Sequence, residues 1–250
     1  MRSRSKNLLL AIAISVVLIG IFVAGFSIIE QPTINRIFQI FGGNMPQGVI
    51  QLLTFIFFFW GLLEINERSS RVKYENQSFG LDFLPEKEHW VLSPEDINDL
   101  KIKMIDYEKS NGKFLMTDVI RKASTKFRAN NSISDVIEVV SKQIKINQNK
   151  AEGKQSIIRY LAWALPSIGF IGTIMGIAQA LGLADRASDP EVLGQITANM
   201  YVAFDTTLVA LILSIFLMWF FHNLQEHEDE LHSDMEEYIL ENFVNRIHVE

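Results

Sequence analysis

Four polar side chains lie deep inside two apolar stretches of this sequence, at residues 159–184 and 197–221. They are Thr173, Asp205, Thr206 and Thr207. Each stretch is long enough to cross a bilayer, which takes about 20 apolar residues. A polar group at that depth is costly unless it serves a pathway, a partner or a packing contact. These side chains are therefore the first candidates for an ion path through a membrane.

The two threonines Thr173 and Thr207 lie at matching depths. Thr173 comes 14 residues after Arg159, and Thr207 comes 14 residues before Phe221. In an antiparallel helix pair both hydroxyls would lie about 21 Å from the same membrane face, at ~1.5 Å per residue. A proton needs only a relay of hydroxyls, water and a titratable group, and we expect a proton. Sodium needs several oxygens in place of its hydration shell, and the adjacent hydroxyls of Thr206 and Thr207 keep that alternative open.

The stretch 159–184 also contains a proline and three glycines. Pro166 removes one backbone hydrogen bond, so it frees a carbonyl and is either a hinge or a tolerated kink. Gly172 and Gly176 form a small-xxx-small face that permits close helix approach, and Gly169 lies nearly one turn before them. We expect these glycines to serve helix packing.

Asp205 has two possible roles. It is either largely neutral and buried against the loop backbone or another helix, or it faces the pore or a subunit interface, because a lone ionised carboxylate in a bilayer is costly. On a helix Asp205 and Thr207 are about 200° apart, so only one can face a lumen. We expect Thr207 to face the lumen and a neutral Asp205 carboxyl to donate toward the third span or an adjacent protomer. The acceptors available there are Ser167, Thr173 and the carbonyl that Pro166 frees.

Four apolar spans must position these groups. Residues 7–29 and 47–65 supply the first two, and 159–184 and 197–221 supply the third and fourth. The chain is 48% hydrophobic and 21% charged, and the segregation of the two properties along the sequence indicates a membrane protein. The predicted fold class is therefore an all-α membrane protein with four transmembrane helices, a helical cytoplasmic domain between spans two and three, and a C-terminal cytoplasmic helix.

The predicted organisation has four parts. They are an N-terminal helical hairpin at 1–65, a cytoplasmic helical region at 66–158, a pore-forming helix pair at 159–222 and an acidic C-terminal helix at 223–250. Ten Lys and Arg residues flank one set of span ends, whereas only Arg36 and Arg186 lie in the two short outer turns. This bias predicts that both termini are cytoplasmic, and we expect a multi-pass protein of the bacterial inner membrane whose first span is an uncleaved anchor.

The polar segments are predicted to be helical. Ser93 and Pro94 start a helix that ends near Asn111, and a second helix runs from about 114 to 128. Ser134 is the predicted cap of a long helix that continues without a break into the third span. The tail carries apolar residues at helical spacing, which we expect to pack on the loop helices, with a partner-docking surface as the alternative. They are Leu224, Leu231, Met235, Ile239, Phe243 and Ile247.

Several classes of function find no support in the sequence. There is no cysteine, which excludes disulfides and thiolate metal sites, and His222, His227 and His232 are five residues apart rather than four, so we expect no metal site. No nucleotide-binding or nucleophile motif is present, and we expect no catalytic residues, no cofactor and no enzyme. The net charge of −6 and the scattered basic residues do not favour nucleic acid.

Two motifs carry a family resemblance. LPSIGFIGTIMGI spans residues 165–177 and AFDTTLVAL spans residues 203–211, and the acidic segment DRASDPE joins their helices. In this order and at this depth they resemble the MotA/TolQ/ExbB proton-channel family, over roughly residues 155–225. The four-span layout resembles the flagellar stator branch, whereas the GTIMG and TT motifs look closer to the TolQ/ExbB branch.

The resemblance implies a homopentamer around two copies of a partner. That partner would be of the MotB, TolR or ExbD type, with one transmembrane helix bearing an aspartate. Ion flow would rotate or rearrange the ring relative to the pair, and the chain would be an ion-conducting subunit of an energy-transducing motor. By the same resemblance Thr173 and Thr207 line the ion path and Pro166 is the stator-type proline. The alternative is a non-conducting membrane scaffold whose polar residues only lock helices together.

Overall fold

The computed structural model describes residues 2–29, 31–45, 48–85 and 90–248, without the side chains of residues 2 and 3. Its seven α-helices in this part of the chain are α1 (Arg2–Ile28), α2 (Pro32–Ile40), α3 (Val49–Asn76), α4 (Pro94–Asn111), α5 (Leu115–Asn130), α6 (Ile133–Leu181) and α7 (Pro190–Asn242). Short 3-10 turns occupy Gln77–Leu81, Ala184–Arg186 and Val244–Arg246. The all-α class is thus confirmed. Outside the described residues lie Gln47, the predicted start of the second span, residues 86–89 of the predicted cytoplasmic region, and Met1, Val249 and Glu250 at the predicted outer limits.

Four helices are long and apolar enough to cross a membrane, namely α1, α3, α6 and α7. The predicted spans lie within or close to these helices, but the two ends at the connection between α6 and α7 differ. Helix α6 stops at Leu181, three residues before the predicted end, and α7 begins at Pro190, seven residues before the predicted start. The early start has a local cause, because the Asp189 carboxylate accepts the Glu191 N–H at 2.9 Å and proline suits the first helical position.

The chain forms two compact units. The first, which we call the membrane unit, contains residues 1–67 and 156–222, and the second, the polar unit, contains residues 68–155 and 223–250.

In the polar unit the helix boundaries follow from capping chemistry. The Ser93 hydroxyl accepts the Asp96 N–H while the Asp96 carboxylate accepts the Ser93 N–H, which is a complete capping box. Helix α5 ends where Asn131 adopts the left-handed conformation. The predicted Ser134 cap is wrong, because α6 already begins at Ile133 and the Ser132 hydroxyl accepts the Asp135 N–H. The predicted continuity is confirmed, since α6 runs unbroken past Pro166.

All six residues of the apolar tail stripe are buried. The last two lie beyond the end of α7, where the chain turns and pairs with the segment before α4. There the Leu92 N–H donates to the Arg246 carbonyl at 2.7 Å, and the His248 N–H donates to the Leu92 carbonyl at 3.1 Å. The stripe therefore belongs to the core of the polar unit.

In the membrane unit, α2 packs back against α1. The Phe38 ring lies over Gly25, where a Cβ would meet it at 2.5 Å, and the Asn35 amide donates to the Ile29 carbonyl. Phe22 stacks on Phe41 with ring centroids 5.3 Å apart. These contacts set the rotation of α2 about its axis, and therefore the direction in which Arg36 points.

Candidate ion-pathway site

Helices α6 and α7 approach closely along the glycine face. A Cβ at Gly169 would meet the Ala210 Cβ at 2.6 Å, and one at Gly176 would meet the Asn199 carbonyl oxygen at 2.7 Å. A Cβ at Gly172 would overlap the Thr206 hydroxyl. The backbones can come this near only because these positions lack side chains.

Close approach brings the two mid-span threonines together, so the expectation that they lie at one level is confirmed. The hydroxyls of Thr173 and Thr207 are in direct contact. Each also reaches a carbonyl on the opposite helix, from Thr173 to Ala203 at 3.0 Å and from Thr207 to Gly169 at 3.0 Å. The two helices therefore exchange equivalent contacts around a local two-fold arrangement.

The number of donors and acceptors in this hydroxyl pair limits the hydrogen bonds that it can form. A threonine hydroxyl donates one proton and accepts through two lone pairs. If both protons point to the opposite carbonyls, the hydroxyl oxygens face each other with lone pairs only. Rotation of either hydroxyl converts that contact into a donor–acceptor pair. Since Thr173 and Thr207 are half-buried rather than sealed, the pair is a neutral polar group that can change partners.

Thr206 does not share that half-exposed position. It is 1% exposed and lies against Gly172, and its hydroxyl donates to the Ala203 carbonyl at 3.1 Å. The hydroxyl is therefore part of the helix interface within one chain. Of the three predicted pathway threonines, the structure brings two together at an accessible position and places the third in the packed contact.

Pro166 frees the Ala162 carbonyl, four residues earlier in α6. The Ser214 hydroxyl of α7 donates to this carbonyl at 3.2 Å, and both groups are buried. The helix stays continuous through the proline. The freed acceptor thus has a fixed partner in the neighbouring helix, which favours the tolerated-kink alternative over the hinge.

Asp205 is buried and forms an ion pair with Arg36. The two terminal guanidinium nitrogens donate to the two carboxylate oxygens, each at 2.7 Å. Arg36 also donates to the Gln39 side chain at 3.0 Å and lies 4.3 Å from the centre of the Tyr201 ring. This is the bidentate geometry of an ionised carboxylate held by arginine. The ion pair joins α2 to α7. Asp205 lies eight residues after Thr197, the predicted start of the fourth span, which is about 12 Å along the helix at ~1.5 Å per residue.

The prediction that a neutral Asp205 donates toward the third span is therefore wrong. None of the predicted acceptors is used: Ser167 donates to the Trp163 carbonyl, Thr173 pairs with Thr207, and the carbonyl freed by Pro166 binds Ser214. The physical reason is that the connection between α1 and α3 contains helix α2, which holds a cation within reach of the carboxylate. Charge–charge pairing then outweighs donation to a neutral acceptor.

Sequence reasoning missed four participants, Arg36, Gln39, Tyr201 and Ser214. A signal for Arg36 was present, because a buried acid in one span and a single basic residue in a short connection between two other spans are a natural pair. Ser214 had no such signal, since a serine in an apolar helix usually bonds its own backbone. In the part of the chain that the structure describes, no group of three or more acidic, His or Cys side chains could hold a metal ion.

Comparison with known proteins gives one match. The sequence profile of the MotA/TolQ/ExbB proton channel family matches residues 111–237, about half of the chain, including α6 from Ile133 and all four polar candidates. Neither the curated proteins nor the solved structures contain a match. Four apolar helices and this match define a multi-pass membrane protein. The chain belongs to the MotA/TolQ/ExbB proton channel family.

Proposed function

We propose that this chain is the channel-forming subunit of an energy-transducing motor in the bacterial inner membrane. Five copies would enclose two copies of a single-span partner with a transmembrane aspartate, and ion flow would rotate or rearrange the ring around that pair. The observation that carries the proposal is the half-buried Thr173–Thr207 hydroxyl pair at mid-span, inside the segment that matches the proton channel family.

The hydroxyl pair suits a supporting role beside a carboxyl group that takes up and releases protons. A hydroxyl can accept from a protonated carboxyl and donate to an ionised one. The titrating group would come from the partner, because Asp205 is already occupied by Arg36. In this account Thr173 and Thr207 solvate the partner's aspartate as its charge changes.

We favour a proton over sodium because the oxygen atoms around the hydroxyl pair already form hydrogen bonds with one another. Four lie around the pair: the hydroxyls of Thr173 and Thr207 and the carbonyls of Gly169 and Ala203. They satisfy one another across the helix contact, so a sodium ion would have to break those hydrogen bonds to obtain ligands. Proton transfer needs only rotation of the hydroxyls.

The ring is favoured by what surrounds the pair. Large apolar side chains on both helices are exposed in the single chain, with Phe170, Ile174, Phe204 and Leu208 each at least half exposed. Lipid or neighbouring copies must cover them. A ring that places this face toward a central partner would give the two hydroxyls a polar neighbour, which hydrocarbon does not.

The orientation follows from the Lys and Arg bias, which favours both termini and the polar unit on the cytoplasmic side. On this account the chain converts ion flow into movement and has no catalytic activity of its own.

Assembly is the first test. The chain should be tagged at its C-terminus, extracted from its own cells in mild detergent, and weighed by native mass spectrometry. The expected mass is five times the 28.5 kDa of one chain plus two copies of a co-purifying single-span protein. A stable monomer or dimer with no such companion would contradict the proposed assembly.

A further inference from the structure

A small cavity in the polar unit, with a volume of about 120 Å³, has not yet been given a role. Helices α3, α6 and α7 supply most of its lining, and four of the lining residues are basic. They are Arg68, Arg71, Lys150 and Lys154. Two carboxylates, Glu75 and Glu228, also line the cavity, so cations exceed anions by two.

Both carboxylates are already held by groups of the protein. Glu75 accepts the Leu115 N–H at 2.7 Å and pairs with Arg71. Glu228 pairs with Arg68 at 3.7 Å and accepts from the Gln155 amide. The acids therefore orient the two arginines, and basic side chains still outnumber carboxylates in the lining.

Three nitrogens of the lining residues are buried and have no hydrogen-bond partner within the chain. They are Arg68 Nε, Asn147 Nδ2 and His232 Nε2. The Asn147 side chain is oriented by Gln143, which donates to its oxygen at 3.1 Å, and His232 Nδ1 lies 2.6 Å from the Glu228 carbonyl oxygen. Asn147 and His232 are 6% and 3% exposed. Because a carbonyl oxygen only accepts, Nδ1 is the donor of the neutral His232 ring and Nε2 is an acceptor. Arg68 Nε and Asn147 Nδ2 are donors. Buried donors without partners are uncommon in folded proteins, so these two at one basic cavity point to a ligand that accepts hydrogen bonds.

We infer that this cavity binds a phosphate group. Guanidinium groups and lysine ammonium groups are the preferred protein partners of phosphate, and the volume accommodates one such group but not a nucleotide. The phosphate comes either from the headgroup of an anionic phospholipid or from free phosphate in solution. The position along the chain suits a headgroup, because Arg68 follows the second predicted span by three residues and Lys154 precedes the third by five.

The test compares two double variants of the full-length protein. Lys150→Gln with Lys154→Gln removes two exposed cations of the cavity, and Lys142→Gln with Lys145→Gln makes the same charge change on exposed positions of α6 away from it. Lipid binding is measured by native mass spectrometry after addition of phosphatidylglycerol or of phosphatidylcholine. Binding of inorganic phosphate is measured separately by calorimetry in detergent.

Two results would support the inference and identify the source. If phosphatidylglycerol binds in preference to phosphatidylcholine, and the cavity variant binds it roughly tenfold more weakly while the control does not, the ligand is a lipid headgroup. If inorganic phosphate binds and only the cavity variant loses it, the ligand is a free phosphate. The inference is overturned if neither probe binds, or if the cavity and control variants bind both probes equally.

Discussion

Asp205 and Thr207 lie two residues apart on α7, and their surroundings differ sharply. The Asp205 carboxylate is held by the Arg36 guanidinium, and the residue is buried. Thr207 is half-buried and neutral, and its polar partners are another hydroxyl and backbone carbonyls. In this membrane unit, formal charge fixes helices to one another, while groups that can exchange partners stay neutral. The comparison assigns the structural role to the ion pair and the ion-path role to the hydroxyl pair.

Removing Arg36 should have the largest effect on stability. Arg36→Ala leaves a buried carboxylate without its counter-ion, which we expect to cost about 3–5 kcal/mol of unfolding free energy. The measurement is thermal unfolding in detergent, followed by far-ultraviolet circular dichroism. The matched control is Arg186→Ala, which replaces an exposed arginine in the connection between α6 and α7 and should change little.

A double variant separates the ion pair from its parts. Arg36→Leu with Asp205→Leu removes both charges, so most of the stability should return. If Arg36→Ala is no less stable than the control, the ion pair does not hold α2 to α7, and the structural role assigned to it is wrong.

The glycine face predicts the next effect. In Gly172→Ala the added methyl group overlaps the Thr206 hydroxyl, so α6 and α7 must separate, at a cost of about 1–3 kcal/mol. Gly194→Ala is the control, since a Cβ there meets nothing within 4 Å and alanine favours the helix. Equal stability of the two variants would show that the helices do not need this close approach.

A second buried carboxylate, Asp118 of the polar unit, extends the comparison to an acid whose lysine partners are partly exposed. Burial alone would raise the pKa of Asp118, but hydrogen bonds and charge from Lys113 and Lys122 outweigh it and lower the pKa to about 2. Because the folded pKa lies below the usual 3.8, Asp118 stabilises the fold above pH ~4 and loses that contribution as the pH falls toward 2. The contribution is at most about 2 kcal/mol, since its lysine partners are partly exposed.

The measurement is the unfolding midpoint of the wild type and of Asp118→Asn between pH 7 and pH 2. We expect the wild type to be more stable near neutral pH and the difference to vanish at the acid end. A difference that stays constant over this range would show that the carboxylate is not held in its ionised form.

The helices were predictable from sequence because apolar length and capping chemistry are local. Ser93 and Pro94 set the start of α4, and the absence of proline between Ser134 and Pro166 predicted the continuous α6. The glycine spacing and the matching depth of Thr173 and Thr207 likewise predicted the contact that the structure contains.

The partner of Asp205 was not predicted, because it depends on tertiary structure. Arg36 and Asp205 are 169 residues apart in sequence, and only the fold of α2 back on α1 makes them neighbours. The burial of Thr206 had the same origin, since helical angles give directions around one helix but do not say which neighbour lies there. Short-range patterns therefore predicted the elements and the hydroxyl pair, and the contacts between distant segments needed the structure.

Removing the hydroxyl pair should have only a modest effect on stability, and it should have the largest effect on function. Thr173→Val with Thr207→Val keeps side-chain shape and removes both hydroxyls, at about 1 kcal/mol for each lost hydrogen bond. The control is Thr197→Val, which removes a hydroxyl of the same helix that donates to the Leu193 carbonyl at 2.9 Å. The wild type, the double variant and the Thr197→Val control should all assemble with the same number of subunits.

The most direct test is proton flux into liposomes that contain the complex purified with its single-span partner, driven by a membrane potential and followed with a pH-sensitive dye inside the liposomes. The account predicts that the wild type and Thr197→Val conduct, and that the variant without the Thr173 and Thr207 hydroxyls assembles but does not conduct. Full proton flux through that variant would contradict the account, because the hydroxyl pair would then be a packing contact only.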